Sequence, residues 1–183
     1  MAMATGLRRG ELLGLRWIDV RSDAIWVRQQ LTFLAGEFRF KPTKMRQGTR
    51  LVAISPDASE VLVRHRERQE ADRSLLGSAW AESGLVFTSE VGTPIHPQNF
   101  YGTWAKLKRR AGVPHMRLHD LRHLHVSLLV KRGLDPRTIA DRVGHTSPAF
   151  TLKRYSHLFE EQRRAAAVSL EDLLGTKAGE DPD

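Results

Sequence analysis

Cysteine is absent from all 183 residues, which excludes disulfides, thiolate metal sites and thiol redox chemistry. No apolar run approaches the roughly 20 residues a membrane span requires, and no charged-then-apolar leader stands at the start, so a cytoplasmic protein is expected. Acidic residues are under-represented, with 21 against 29 lysines and arginines, for a formal charge of +8. That excess points to a polyanionic partner. Of the 29 basic residues 22 are arginine, whose planar fork suits bidentate phosphate contact better than the point charge of lysine. A well-solvated basic surface would have the same composition. The length suffices to bury one core without staples, and no internal repeat is visible.

Hydrophobic periodicity and turn residues predict a mainly α chain with a small antiparallel β-sheet, an α+β fold. A helix is expected over 7–16. Segments 24–33, 37–40 and 49–54 hold β-branched and aromatic residues broken by Ala35-Gly36 and Gln47-Gly48, the pattern of short strands. Ser55-Pro56 pairs a capping residue with a proline at the first helical position and opens a long helix to about residue 76. A short strand over 85–88 and a helix over 98–111 follow. Asp135-Pro136 and Ser147-Pro148 repeat the cap-plus-proline signal, with Gly144 placed to end the first of these short helices. A last helix is expected over 160–174, and the acidic tail over 176–183 is expected to be disordered. The four tryptophans do not alternate with basic residues and read as packing groups.

The polar strings concentrate in two places. Thr5-Gly6-Leu7-Arg8-Arg9-Gly10-Glu11 lies near the start; His119-Asp120-Leu121-Arg122-His123, Val143-Gly144-His145 and Lys153-Arg154-Tyr155-Ser156-His157 lie toward the end. At helical spacing His119, Arg122 and His123 share a face, with Leu121, Leu124 and Leu128 roughly opposite. That predicts a leucine stripe in the core and a cationic face on a cleft. His119 and His123 are also spaced i,i+4 as zinc ligands can be, although Arg122 would set a fixed positive charge beside the dication. Taken singly, each residue has an ordinary reading: Arg8 and Glu11 as a surface pair, Tyr155 as a core aromatic, His145 as a helix cap, Lys44 as a solvated turn lysine.

Together these strings resemble the catalytic domain of the tyrosine recombinases, the phage integrase family. Arg8 within Thr5-Gly6-Leu7-Arg8-x-x-Glu11 resembles its first box. His119-x-x-Arg122, then His145 after Gly144, then Tyr155 ten residues further on, keep the order and spacing of its second. Val143, where leucine is common, and Leu124-His125-Val126-Ser127 depart mildly. The resemblance spans about residues 4–174, and residues 1–175 are expected to form the catalytic domain. Because the first box starts so soon after Met1, the family's N-terminal DNA-binding domain is expected to be missing.

What the resemblance implies is a double-stranded DNA substrate, partner protomers on that DNA, no membrane association and no cofactor or metal. Arg8, Arg122 and His145 would hold the scissile phosphate, and His119 would help take the proton of Tyr155, the nucleophile. Lys44, or else Lys41, would protonate the leaving 5′-oxygen, with Glu11 and His123 in support. A type IB topoisomerase would use a similar set, and a helix-turn-helix regulator is the non-catalytic alternative.

Overall fold

The computed structural model describes residues 1–43 and 49–169. Lys44, the tail over 176–183 and the expected end of the last helix lie outside the described residues. The helix expected over 7–16 is shorter, α2 (Arg9–Leu13), and a separate helical turn that was not expected, α1 (Ala2–Thr5), precedes it. Gly6 divides them in a left-handed conformation, φ 65°, and a Cβ there would stand 2.6 Å from the His125 ring. Both the torsion and the close approach therefore favour glycine.

Four strands follow: β1 (Ala24–Val27), β2 (Gln29–Leu34), β3 (Glu37–Pro42) and β4 (Arg50–Ala53). They form two antiparallel pairs, β1 with β4 and β2 with β3. The β2–β3 hairpin turns at Ala35 and Gly36, both at positive φ, the geometry that matches the twist of the flanking strands. The short strand expected over 85–88 does not form; its ends are held by isolated bridges, Arg16 to Leu85 and Thr88 to Pro94.

The long helix α3 (Pro56–Leu76) opens at Ser55-Pro56 as expected. His96 caps α4 (Pro97–Arg110), its ring accepting from the Gln98 N–H at 3.3 Å. Next comes α5 (Leu118–Lys131), then α6 (Pro136–Val143) capped by Asp135, and α7 (Pro148–Arg154) capped by Ser147. The last helix, α8 (Ser156–Ala165), starts directly after Tyr155 rather than at 160. The earlier start places Phe159 in the core beside Tyr155.

The leucine stripe expected on α5 is not the buried one. Leu124 and Leu128 are exposed, while Arg122, Val126, Leu129 and Val130 are buried. Those positions follow i, i+4, i+7 and i+8 and pack, through the valines and Leu129, against Ile139, Val143, Tyr155 and Phe159. The buried face is thus rotated onto β-branched residues, and it carries Arg122 inward at its head. A second apolar cluster joins Leu7, Leu12 and Leu15 to Ile25, Val27, Val52 and Val86. Contacts of α1 with α5 and of β4 with α6 join the two halves, and the polar residues of interest lie along that seam. No helix among the described residues is long and apolar enough to cross a membrane.

Candidate active site

Arg8 is the extended residue before α2 rather than part of it. Its N–H donates to Glu11 Oε2 at 2.9 Å, and its guanidinium donates to Glu11 Oε1 at 3.0 Å and to the Gly144 carbonyl at 2.6 Å. One side chain thereby ties the start of α2 to the turn between α6 and α7. Arg50, at the head of β4, completes the tie. It meets Glu11 through both terminal nitrogens, at 3.0 and 2.8 Å, and gives its Nε–H to the Arg142 carbonyl at 3.0 Å.

Glu11 is therefore a buried carboxylate between two arginines. Burial alone would raise its pKa, but the hydrogen bonds and charge of Arg50, and after them those of Arg8, outweigh burial and hold it below the ordinary value. Gly144 packs under the Arg50 guanidinium so closely that a Cβ would come within 2.9 Å of it, and its φ of 71° also favours glycine. The turn that presents His145 is thus fixed by backbone shape and by two arginine forks.

Arg122 is 3 % exposed. Its Nη1 donates to the Gly6 carbonyl at 2.7 Å, whereas its Nη2 is buried with no partner among the described residues. Burial first, and then the positive charge of Arg8, lower its pKa to about 10, leaving it cationic at neutral pH. A buried guanidinium with an idle donor beside a second arginine is suited to an oxyanion.

His145 is 7 % exposed, with Nδ1 2.8 Å from the Thr151 hydroxyl and its ring edge-on to Phe150. Burial, then the charges of Arg122 and Arg8, lower its pKa to about 4, so it is a neutral imidazole at pH 7. His119 is lowered by the same causes in the same order.

Tyr155 follows α7 and is 4 % exposed. Burial raises its pKa, with Arg122 and Arg154 opposing. Its hydroxyl lies 2.7 Å from Nδ1 of His123, itself lowered by burial and by His119. With the imidazole neutral and its proton on Nε2, the phenol donates to Nδ1. The imidazole on the tyrosine is thus His123, while His119 packs edge-on against His123 at 4.7 Å. His119 and His123 gain no further metal ligand: among the described residues no three histidine or acidic side chains converge.

The structure therefore brings Arg8, Glu11, His119, Arg122, His123, His145 and Tyr155 into one cluster. Lys44 lies outside the described residues, and Lys41 is on β3. Two residues, Arg50 and Thr151, and one contact, that of His123 with Tyr155, escaped sequence reasoning. Arg50 was signalled only by a charge at the head of the apolar run Leu51-Val52-Ala53. Thr151 carried no signal. The place of His123 on the tyrosine depends on how α7 meets α5, which spacing along α5 does not encode.

The sequence profile of the phage integrase family matches residues 1–162. The chain belongs to that family. It is 33% identical over 188 residues to a XerC-like tyrosine recombinase of Caldanaerobacter subterraneus, a match covering 95% of the chain and 48% of the relative. It is 34% identical to the ICEBs1 integrase of Bacillus subtilis, again over 95% of the chain and 48% of the relative. The chain thus spans about half the length of these curated family members. Among solved structures, the Tn1549 transposon integrase in complex with transposon right-end DNA superposes with a TM-score of 0.72 at 21% identity, over 91% of the chain and 57% of that protein. The XerA recombinase superposes with a TM-score of 0.68. The α+β architecture is accordingly that of a tyrosine recombinase catalytic domain.

Proposed function

We propose that this chain is the catalytic part of a site-specific DNA recombinase, with residues 1–175 as its catalytic domain, and that it cuts and rejoins duplex DNA through Tyr155. The observation that carries the reading is the buried pair of Tyr155 and His123 beside Arg122, whose Nη2 has no partner among the described residues. A phosphodiester repels nucleophiles and its departing alkoxide leaves poorly, so a catalyst must neutralise the non-bridging oxygens and move protons. Arg8 and Arg122 do the first, with His145 as a further donor as charge builds on phosphorus.

Tyr155 attacks the phosphorus and gives its proton to His123, which is neutral and in contact. The phenol oxygen bonds to phosphorus as the bond to the 5′-oxygen breaks, and Lys44 protonates that oxygen. One phosphodiester is exchanged for one 3′-phosphotyrosyl ester and a free 5′-hydroxyl, so rejoining to a partner strand needs no added energy source. Arg50 and Glu11 are positioning residues, holding Arg8 and the His145 turn in register. The arginines supply the positive charge that metal-dependent nucleases take from their ions.

Exchange between two duplexes requires further protomers on the DNA, and such an enzyme works in the cytoplasm where that DNA lies. The test is a nicked suicide duplex carrying the core site, on which the broken strand diffuses away and traps the covalent stage. A protein–DNA adduct that resists denaturation is expected, and Tyr155→Phe should remove it while keeping the fold. DNA relaxation without strand exchange would assign the same chemistry to a type IB topoisomerase instead.

A further inference from the structure

Beside the catalytic cluster a cavity of about 560 Å³ opens between α2, β2, α4 and the start of α5. Arg8, Arg9, Gly10, Tyr101, Arg117 and His119 are among the residues that line it. Among the described residues no carboxylate lines it. The packing beside it is close: a Cβ at Gly10 would stand 2.8 Å from the Leu31 carbonyl, so α2 lies directly on β2 and sets Arg9 against the cavity.

The three arginines of this cavity differ in what neutralises them. Arg8 is paired with Glu11 and Arg117 with Asp120. Arg9 has no ion-pair partner among the described residues. Its contacts are with Tyr101, whose hydroxyl accepts from Nη1 and whose ring centroid lies 5.0 Å from the guanidinium carbon. An aromatic face and a phenol oxygen fix the orientation of a guanidinium without cancelling its charge. The result is a preorganised cation, open on the cavity side and adjacent in sequence to the arginine at the catalytic cluster.

We propose that Arg9, held by Tyr101 and faced by Arg117, forms a second anion site that takes a backbone phosphate next to the one at Arg8. The proposal rests on the strand-transfer reading above. Consecutive phosphates of a duplex strand advance about 3.4 Å along the helix axis, and Arg8 and Arg9 line the same cavity. The cleft then grips the DNA backbone at two successive points. The second fixes the direction of the strand without taking part in the chemistry, because one phosphate contact alone leaves the strand free to swivel about it.

The test is the salt dependence of binding to a short fluorescent duplex of arbitrary sequence, since each phosphate neutralised contributes about 0.9 to the slope of log K against log salt. Arg9→Gln should lower the slope by about one and leave the melting midpoint unchanged. Arg9→Lys, which keeps the charge but not the fork over the ring, should keep the slope and weaken binding. Arg73→Gln is the control, because Arg73 is already paired with Glu70 and Glu82 on the surface. If the parent chain binds with a steep slope and Arg9→Gln matches Arg73→Gln, the second site is wrong and the recombinase reading stands. If the parent chain shows no salt-sensitive binding, the DNA reading fails and this site with it.

Discussion

The proposed nucleophile, Tyr155, is buried and engaged. The Tyr155 hydroxyl is held on His123 and burial keeps it protonated, so proton removal depends on an imidazole that is itself neutral. His123→Ala should therefore slow single-turnover cleavage by about 10²–10⁴, the usual weight of a general base, with folding retained. An equal or larger loss in His119→Ala would return the role to His119. His125 and His145 carry a second expectation. His125 sits between the Met3 carbonyl and the Arg142 guanidinium and, burial first, its pKa falls to about 4, as does that of His145. An unfolded histidine titrates near ~6.5, so between that value and 4 the unfolded chain binds protons that the folded chain refuses. Stability present at neutral pH is then lost as pH falls through this window. A melting series should show the midpoint dropping below about pH 6.5, less steeply in His125→Gln; a flat or rising midpoint would contradict the assignment. At this scale, residue types and spacings were enough to single out Arg8, Arg122, His145 and Tyr155, which the fold brings into one cluster. Which histidine meets the tyrosine was not legible, because adjacent turns of α5 offer two imidazoles and only tertiary packing selects one.

Between elements, the site is a latch across the seam. Arg8 reaches from α2 to Gly144, and Arg50 reaches from β4 to Arg142 and Glu11. Arg50→Ala leaves a buried carboxylate short of donors and should destabilise the fold by about 1–3 kcal/mol, a drop of about 2–4 °C for each kcal/mol in a chain of this size. Cleavage should fall as well, since the turn bearing His145 loses one of its two anchors; Arg50→Lys should restore part of each. Unchanged melting with unchanged cleavage would show that the latch has no role. The boundaries of α3 and α6 and the start of α7 were legible because proline, capping residues and glycine act locally. The separate turn α1 ended by Gly6, the buried face of α5 and the start of α8 at Ser156 were not. Each answers to a distant partner, respectively the His125 ring, the apolar cluster around Ile139, and the burial of Phe159.

Over the whole molecule, a net charge of +8 and two apolar clusters meeting along an arginine-lined seam fit the proposed catalyst, one that would bring its own cations to a phosphate. Cleavage of a suicide duplex should accordingly survive excess chelator, and loss of cleavage restored by zinc would support the His119 and His123 metal site instead. The α+β class was readable from patterning alone, and the family from motif order. The arrangement of two strand pairs and two clusters around the seam was not, since register and docking depend on contacts far apart in sequence. The most direct measurement is peptide mapping of the covalent adduct. The chain has two tyrosines, Tyr101 and Tyr155, and Tyr101 is exposed on α4 against Arg9. The adduct should map to the peptide bearing Tyr155 and vanish in Tyr155→Phe; an adduct on Tyr101, or one that persists in Tyr155→Phe, would contradict the account.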